Sequence, residues 1–139
     1  MDPLWKLCDD GNLKGVRLAL ARGEDLNYES DSGLTLLMYA AWKRHTAAYN
    51  GHNSIVKLLL DQAGVKINKQ DNSGDTALHC AAWSNNREGA RMLLLHPTMD
   101  SANAKNNNGY TAVMAAVMGG HKEVLSELVA HQSVSLDYR

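Results

Sequence analysis

The sequence predicts an all-α solenoid, in which pairs of short helices stack on one another and successive pairs are joined by β-hairpin-like loops. One observation is a spacing that recurs along most of the 139 residues. Another is that apolar residues three and four positions apart follow each predicted turn. The constant part of the spacing is an asparagine followed six residues later by a glycine: Asn27 with Gly33, Asn68 with Gly74, and Asn103 with Gly109. A rigid loop joined to a more variable helical part explains this pattern.

The first helix of each unit begins just after that glycine. A threonine follows each glycine by two residues, and an alanine follows each threonine by five. Threonine caps the exposed N–H groups of a helix and contributes about 1 kcal/mol. Alanine allows neighbouring helices to approach closely. The positions are Thr35, Thr76 and Thr111 for the caps, and Ala40, Ala81 and Ala116 for the contacts.

The second helix follows a turn. Turns are predicted at Gly11-Asn12, Asn85-Asn86 and Gly120-His121, and at Gly51-His52 after seven inserted residues, 44–50. The insertion predicts either a longer helix pair or a protruding loop. The amphipathic spacing after each turn predicts a helix with one buried face. Its apolar residues are Val16, Leu18 and Leu20; Ile55, Val56, Leu58 and Leu59; Ala90, Met92, Leu93 and Leu94; and Val124, Leu125, Leu128 and Val129.

The motif Thr76-Ala77-Leu78-His79-Cys80-Ala81-Ala82 resembles the signature of the ankyrin-repeat family, whose period is about 33 residues. The resemblance covers nearly the whole chain. It implies a capping repeat at 1–28 that begins with the degenerate copy Asp2-Pro3-Leu4-Trp5, and repeats at 29–68, 69–103 and 104–139. The chain departs from the family pattern because three of its four motifs lack the proline and only one has the histidine.

The resemblance implies that a partner protein binds the concave face, which hairpin tips and first helices form. Trp42, Trp83 and Tyr110 are the predicted anchors, since buried aromatic residues dominate binding energy. Each tryptophan could instead pack on its neighbour's hairpin and serve the fold alone. The remaining predicted contacts are Leu34, Lys43, Asp75 and Met118, and the family's concave positions also include Ser84.

Composition argues against other classes of function. The net charge is −1, and the lysines near the predicted hairpins are interspersed with aspartates, which favours a protein partner over nucleic acid. His79 and Cys80 are adjacent on a helix and face different directions, so they do not form a nucleophile–base pair. The six histidines lack metal-ligand spacing. We therefore expect no enzyme activity, no cofactor and no metal.

The remaining expectations concern the location of the protein and the role of its last repeat. No apolar run is long enough to span a bilayer. We expect a cytoplasmic scaffold or adaptor, with a nuclear location as the alternative. The last copy carries many apolar residues. We therefore expect that the natural chain continues, or that this end contacts a partner or a second copy of the chain. The alternative functions are a structural N-terminal segment of a longer ankyrin-repeat protein and a nucleic-acid-associated adaptor.

Overall fold

The computed structural model describes residues 6–8, 10–42 and 49–131. Residues 6–8 are helical, and the only extended pairing in the described ranges is an isolated bridge between Glu29 and Thr35. The predicted all-helical solenoid is confirmed. The further helices are α1 (Leu13–Ala21), α2 (Leu36–Trp42), α3 (Tyr49–Leu60), α4 (Ala77–Trp83), α5 (Arg87–Leu95), α6 (Ala112–Gly119) and α7 (Lys122–Ala130).

The helices stack in two rows. In the row of first helices, α4 lies between α2 and α6, and in the row of second helices α5 lies between α3 and α7. The alanines predicted to allow this close approach are fully buried. Because alanine carries only a methyl group, the helix backbones can approach closely at these positions. These alanines are Ala40, Ala41, Ala81, Ala82 and Ala116.

The three threonine caps form as predicted. The Thr35, Thr76 and Thr111 hydroxyls accept hydrogen bonds from backbone N–H groups three residues later, at 3.3, 3.3 and 3.2 Å. These bonds satisfy one of the N–H groups that the first turn of a helix leaves without a partner. The start of each first helix is therefore set by local sequence.

The tips of the hairpins are bonded to one another. Gly33 and Gly74 have φ angles of +81° and +82°, the left-handed conformation that glycine adopts without strain. The Asn72 N–H donates to the Ser32 carbonyl at 2.8 Å, and the Asn107 N–H donates to the Ser73 carbonyl at 2.9 Å. The tips of the second and third full repeats are thus each bonded to the tip of the preceding repeat.

The repeated asparagines join successive loops. The Asn27 side chain donates to the Gly64 carbonyl at 2.8 Å and accepts the Lys66 N–H at 3.0 Å. Asn68 does the same one repeat later, with the Thr98 carbonyl at 2.8 Å and the Asp100 N–H at 3.1 Å. The constant asparagine therefore has a tertiary role, which its spacing alone did not reveal.

Two local predictions were wrong. Gly51 and His52 lie inside α3, which begins at Tyr49 and has 12 residues, whereas α1, α5 and α7 have 9 each. The last two residues of the insertion therefore lie in α3 and lengthen it. Packing of the apolar face of α3 stabilises the helix although it contains Gly51. Leu18 and Val129 are 56% and 42% exposed, because the buried faces turn toward Val16 with Ala19 and toward Val124 with Leu128.

Some predictions fall outside the described residues. These are the degenerate motif copy Asp2-Pro3-Leu4-Trp5, the predicted contact Lys43, insertion residues 44–48 and the last eight residues, 132–139.

Candidate protein-binding surface

Four of the predicted contact residues meet around one depression on the row of first helices. We call this depression, with a volume of about 270 Å³, the aromatic groove. It lies between the first and second full repeats. Its lining residues are Leu34, Tyr39, Trp42, Asp71, Asp75, Cys80 and Trp83.

The repeat itself explains why these residues converge. Leu34 and Asp75 each follow the tip glycine of their repeat, and Trp42 and Trp83 are the last residues of α2 and α4. Stacking places equivalent positions of adjacent repeats side by side. Each repeat therefore contributes two side chains, one from the tip and one from the helix end, and two adjacent repeats together contribute four.

The two tryptophans differ in exposure. Trp42 is 51% exposed, and its ring centroid lies 6.4 Å from that of Tyr39 at an interplanar angle of 42°. Trp83 is partly buried and packs against the core. Burial of Trp83 matches what a structural role would require, whereas Trp42 offers about half of its surface to solvent.

Two carboxylates form the polar side of the aromatic groove. One Asp71 oxygen, Oδ1, accepts the N–H groups of Ser73 and Asp75, both at 2.9 Å, and so holds the hairpin tip in place. Asp75 Oδ1 accepts a hydrogen bond from Asn106 Nδ2 at 2.9 Å. Each aspartate uses a single oxygen in these bonds, and neither forms an ion pair within the described part of the chain.

Cys80 lies on the floor of the aromatic groove and is only 7% exposed. Burial raises the pKa of its thiol above the ordinary range, and the negative charges of Asp75 and Asp71 raise it further. A thiol in this environment stays protonated at neutral pH, and the thiolate is the nucleophilic form. Cys80 is therefore part of the groove lining and is unsuited to nucleophilic chemistry.

His79 serves the fold. Its Nδ1 atom accepts the Thr76 N–H at 3.1 Å, so the proton on Nε2 can be donated to the Tyr110 carbonyl at 2.8 Å. The first bond completes a capping box at the start of α4, and the second reaches the next repeat. His79 thus has a structural role, since both ring nitrogens take part in hydrogen bonds that hold the fold.

A second histidine, His96, has a similar geometry. His96 Nδ1 accepts the Thr98 N–H at 3.2 Å, and Nε2 lies 3.0 Å from the Leu60 carbonyl of the preceding repeat. This histidine lies outside the repeated motif, so spacing gave no signal for its role.

A second depression, of about 250 Å³, continues the surface into the last repeat. Tyr110 and Met118, both predicted contacts, line it with Met114 and Val117. Met118 is 58% exposed and Val117 is 49% exposed. The predicted residues therefore divide between the aromatic groove and this neighbouring apolar depression.

One predicted concave position is wrong. Ser84 is 2% exposed, and its hydroxyl donates to the carbonyls of Cys80 at 2.9 Å and Ala41 at 3.2 Å. Ser84 is the residue immediately after α4 and joins it to the preceding repeat.

Within residues 6–8, 10–42 and 49–131, no three histidine, cysteine or acidic side chains gather in a way that could hold a metal ion. Among the helices described there, none combines the length and apolar character needed to cross a membrane.

Comparison with known protein families decides the family. One family model, described as ankyrin repeats in many copies, matches residues 44–94, and a second, described as ankyrin repeat, matches residues 108–139. Together they cover more than half of the chain. The chain belongs to the ankyrin-repeat family. Ankyrin repeats generally mediate interactions between proteins, and this assignment agrees with the helix pairs and bonded hairpin tips described above.

Individual ankyrin-repeat relatives are much longer. The chain is 31% identical over 109 residues to protein fem-1 homolog A-like of Mus musculus, covering 78% of this chain and 15% of that protein. It is 32% identical over 105 residues to a putative ankyrin repeat protein of fowlpox virus, covering 74% of this chain and 28% of the relative. The chain thus spans less than a third of either relative.

The lining of the aromatic groove shows which residues of this ankyrin-repeat chain sequence reasoning missed. Tyr39 lies three residues before Trp42, and Cys80 three before Trp83, so helical spacing places each on the same face as its tryptophan. Asp71 lies three residues before the tip glycine Gly74. These offsets from the tryptophans and from the tip glycine would have located all three residues.

Proposed function

We propose that this ankyrin-repeat chain is a non-catalytic adaptor that binds a partner protein through the aromatic groove and the neighbouring apolar depression. The observation that supports this most is the convergence of Leu34, Trp42, Asp75 and Trp83 on one depression. Residues predicted from the family's concave face line this depression, in which aromatic side chains lie beside carboxylates.

The exposed residues have the chemistry of a binding surface. Trp42, Val117 and Met118 each leave about half of their surface in solvent. Aromatic residues and methionine are enriched at protein interfaces, where burying a large apolar side chain contributes most of the affinity. A partner that covered these residues would remove a substantial apolar area from water.

The scaffold supports binding because it is already ordered. Hydrogen bonds of 2.8 and 2.9 Å join successive hairpin tips, and the tips carry Leu34, Asp75 and Tyr110 into the surface. A surface that is fixed before binding loses little conformational entropy when the partner arrives. The buried thiols Cys8 and Cys80 fit a reducing compartment, so the cytoplasm is the location we propose.

The test compares the wild-type chain with a Trp42→Ala, Trp83→Ala variant in affinity capture from a native extract, followed by titration of the purified partner. Leu95→Ala is the control, because Leu95 is also apolar and exposed but lies on α5, in the other row of helices. We expect the double variant to lose about 2 kcal/mol or more of binding free energy, as hot-spot residues do.

Circular dichroism melting first establishes that all three proteins fold. Retention of the same partner by the wild type and by the double variant would show that binding occurs elsewhere. Loss of the partner with Leu95→Ala alone would place the interface on the row of second helices instead.

A further inference from the structure

We infer that the aromatic groove receives an arginine side chain of the partner protein. This inference rests on the proposed function and specifies the residue that the surface recognises. It is carried by the aromatic rings and the carboxylates that meet in one depression the size of a side chain.

The rings supply one half of the recognition. Trp42, Tyr39 and Trp83 line the groove together. The face of an aromatic ring carries a partial negative charge and attracts a cation within about 6 Å, and tryptophan does so most strongly. Three such rings around one depression favour a cationic side chain with a flat or apolar body over an acidic one.

The carboxylates supply the other half. The Oδ2 oxygens of Asp71 and Asp75 accept no hydrogen bond from the part of the chain that the structure describes. The nearby Lys69 is already paired with Glu29 at 3.1 Å. Two partly buried negative charges therefore face the groove without a positive partner in the described residues, and a cation from outside would compensate them.

Arginine fits this arrangement better than lysine. A guanidinium group is planar, so it stacks on an indole face while its edge donates to carboxylate oxygens. A lysine ammonium is a compact, strongly hydrated charge that cannot stack in this way. The volume of about 270 Å³ lies below the roughly 300–1,000 Å³ of pockets that enclose drug-sized ligands, which suits a single side chain.

The next repeat provides a natural comparison. At the positions equivalent to Asp71 and Asp75 it has Asn106 and Tyr110. The lining of its depression contains no carboxylate. Asn106 Oδ1 still accepts two backbone N–H groups, from Asn108 and Tyr110, both at 3.0 Å. Asparagine therefore preserves the hairpin tip, and Asp71→Asn removes the charge while keeping the fold.

The experiment uses the acetylated peptide Gly-Ser-Arg-Ser-Gly, with lysine and citrulline counterparts. Citrulline has nearly the shape of arginine but no charge. Binding is followed by NMR at the indole N–H signals of Trp42 and Trp83, which single substitutions to methionine assign. Asp71→Asn, Asp75→Asn is the test variant. Asp61→Asn, Asp100→Asn is the charge-matched control, since neither residue lines the groove.

We expect the arginine peptide to shift both indole signals saturably and the citrulline peptide to bind about tenfold more weakly or not at all. The test variant should weaken arginine binding by a similar factor, and the control variant should leave it unchanged.

Equal binding of citrulline, or no effect of the test variant, would overturn the inference. Tighter binding of lysine would overturn the assignment to arginine, and failure of every peptide to shift the indoles would overturn the groove as a cation site. None of these results contradicts the proposed function, because the capture experiment with the tryptophan variant decides that separately.

Discussion

The environment of Cys80 determines the role of this residue. Its motif neighbour His79 invites a catalytic interpretation, yet the imidazole is bonded to Thr76 and to the Tyr110 carbonyl. The thiol lies on the groove floor, where burial and then the charges of Asp75 and Asp71 raise its pKa. The adjacent pair therefore serves packing and capping.

The raised pKa of Cys80 makes stability depend on pH. An ordinary thiol has a pKa of 9.0, so above pH 9.0 the unfolded chain releases the Cys80 proton while the folded chain keeps it. The stabilisation is complete below that pH and is lost as pH rises, by roughly 1.4 kcal/mol per pH unit. Urea unfolding of the wild type and of Cys80→Ala, at pH values on both sides of 9.0, measures this loss.

Cys80→Ala is a suitable reference, because Ala115 occupies the equivalent buried position one repeat later. The free energy of unfolding of the wild type should fall relative to the variant only in the alkaline range. Parallel pH profiles for the two proteins would contradict the raised pKa.

At the scale of the element, the hairpin tip is the part of each repeat that sequence specifies most fully. Three residues form the tip and lie within a few positions of one another. They are the tip glycine, the residue whose side chain accepts N–H groups of the tip, and the threonine cap. For the second full repeat these are Asp71, Gly74 and Thr76. Local hydrogen bonds and one left-handed residue therefore suffice to form the tip.

Substitution of the glycines at two tips distinguishes the cost of backbone strain from the cost of a steric clash between repeats. Gly74 and Gly109 both have a φ of +82°, but a Cβ on Gly74 would lie 2.7 Å from the Asn107 backbone nitrogen, whereas one on Gly109 would meet nothing within 4 Å. Gly109→Ala should cost about 1 kcal/mol of stability from strain alone. Gly74→Ala should cost roughly 1–3 kcal/mol more, because overpacking adds to that strain.

Chemical denaturation of both glycine variants measures the difference. Equal losses would show that the bonded tips can separate without cost, and would weaken the description of a surface ordered before binding.

At the scale of the whole molecule, stability is a sum over neighbouring repeats, because each repeat contacts only those beside it. The described helices follow this rule: α4 lies between α2 and α6. The chain buries its alanines at these contacts and has no phenylalanine. A change at the centre of the stack should therefore affect the interfaces on both sides.

Ala81→Leu tests this sum. Ala81 is fully buried on α4, and three extra carbon atoms have no space there, so we expect a loss of about 1–3 kcal/mol. Ala21→Leu, on an exposed position at the end of α1, is the control and should change stability by less than about 0.5 kcal/mol. Thermal melting measures both, and an unchanged melting temperature for Ala81→Leu would contradict the helix contacts.

Much of the candidate site could be predicted, since equivalent positions in a repeat protein become neighbours in space. Leu34 and Asp75 were predicted from the tips, and Trp42 and Trp83 from the helix ends. The assignment of these residues to binding stays a prediction, as do the repeat boundaries at 28, 68 and 103. Ser84 and Leu18 were misplaced because periodicity fixes a helix face only to within one residue on either side.

The sequence by itself determined the repeat, the caps and the left-handed tips, because these depend on bonds between residues a few positions apart. Tertiary structure decided the rest. It placed Asn27 and Asn68 between loops more than 25 residues apart, lengthened α3 through Gly51, and brought Asp71 and Asp75 beside the rings of Trp42 and Trp83. The physical reason is that these contacts depend on how one repeat is rotated against the next, and packing of the whole stack sets that rotation.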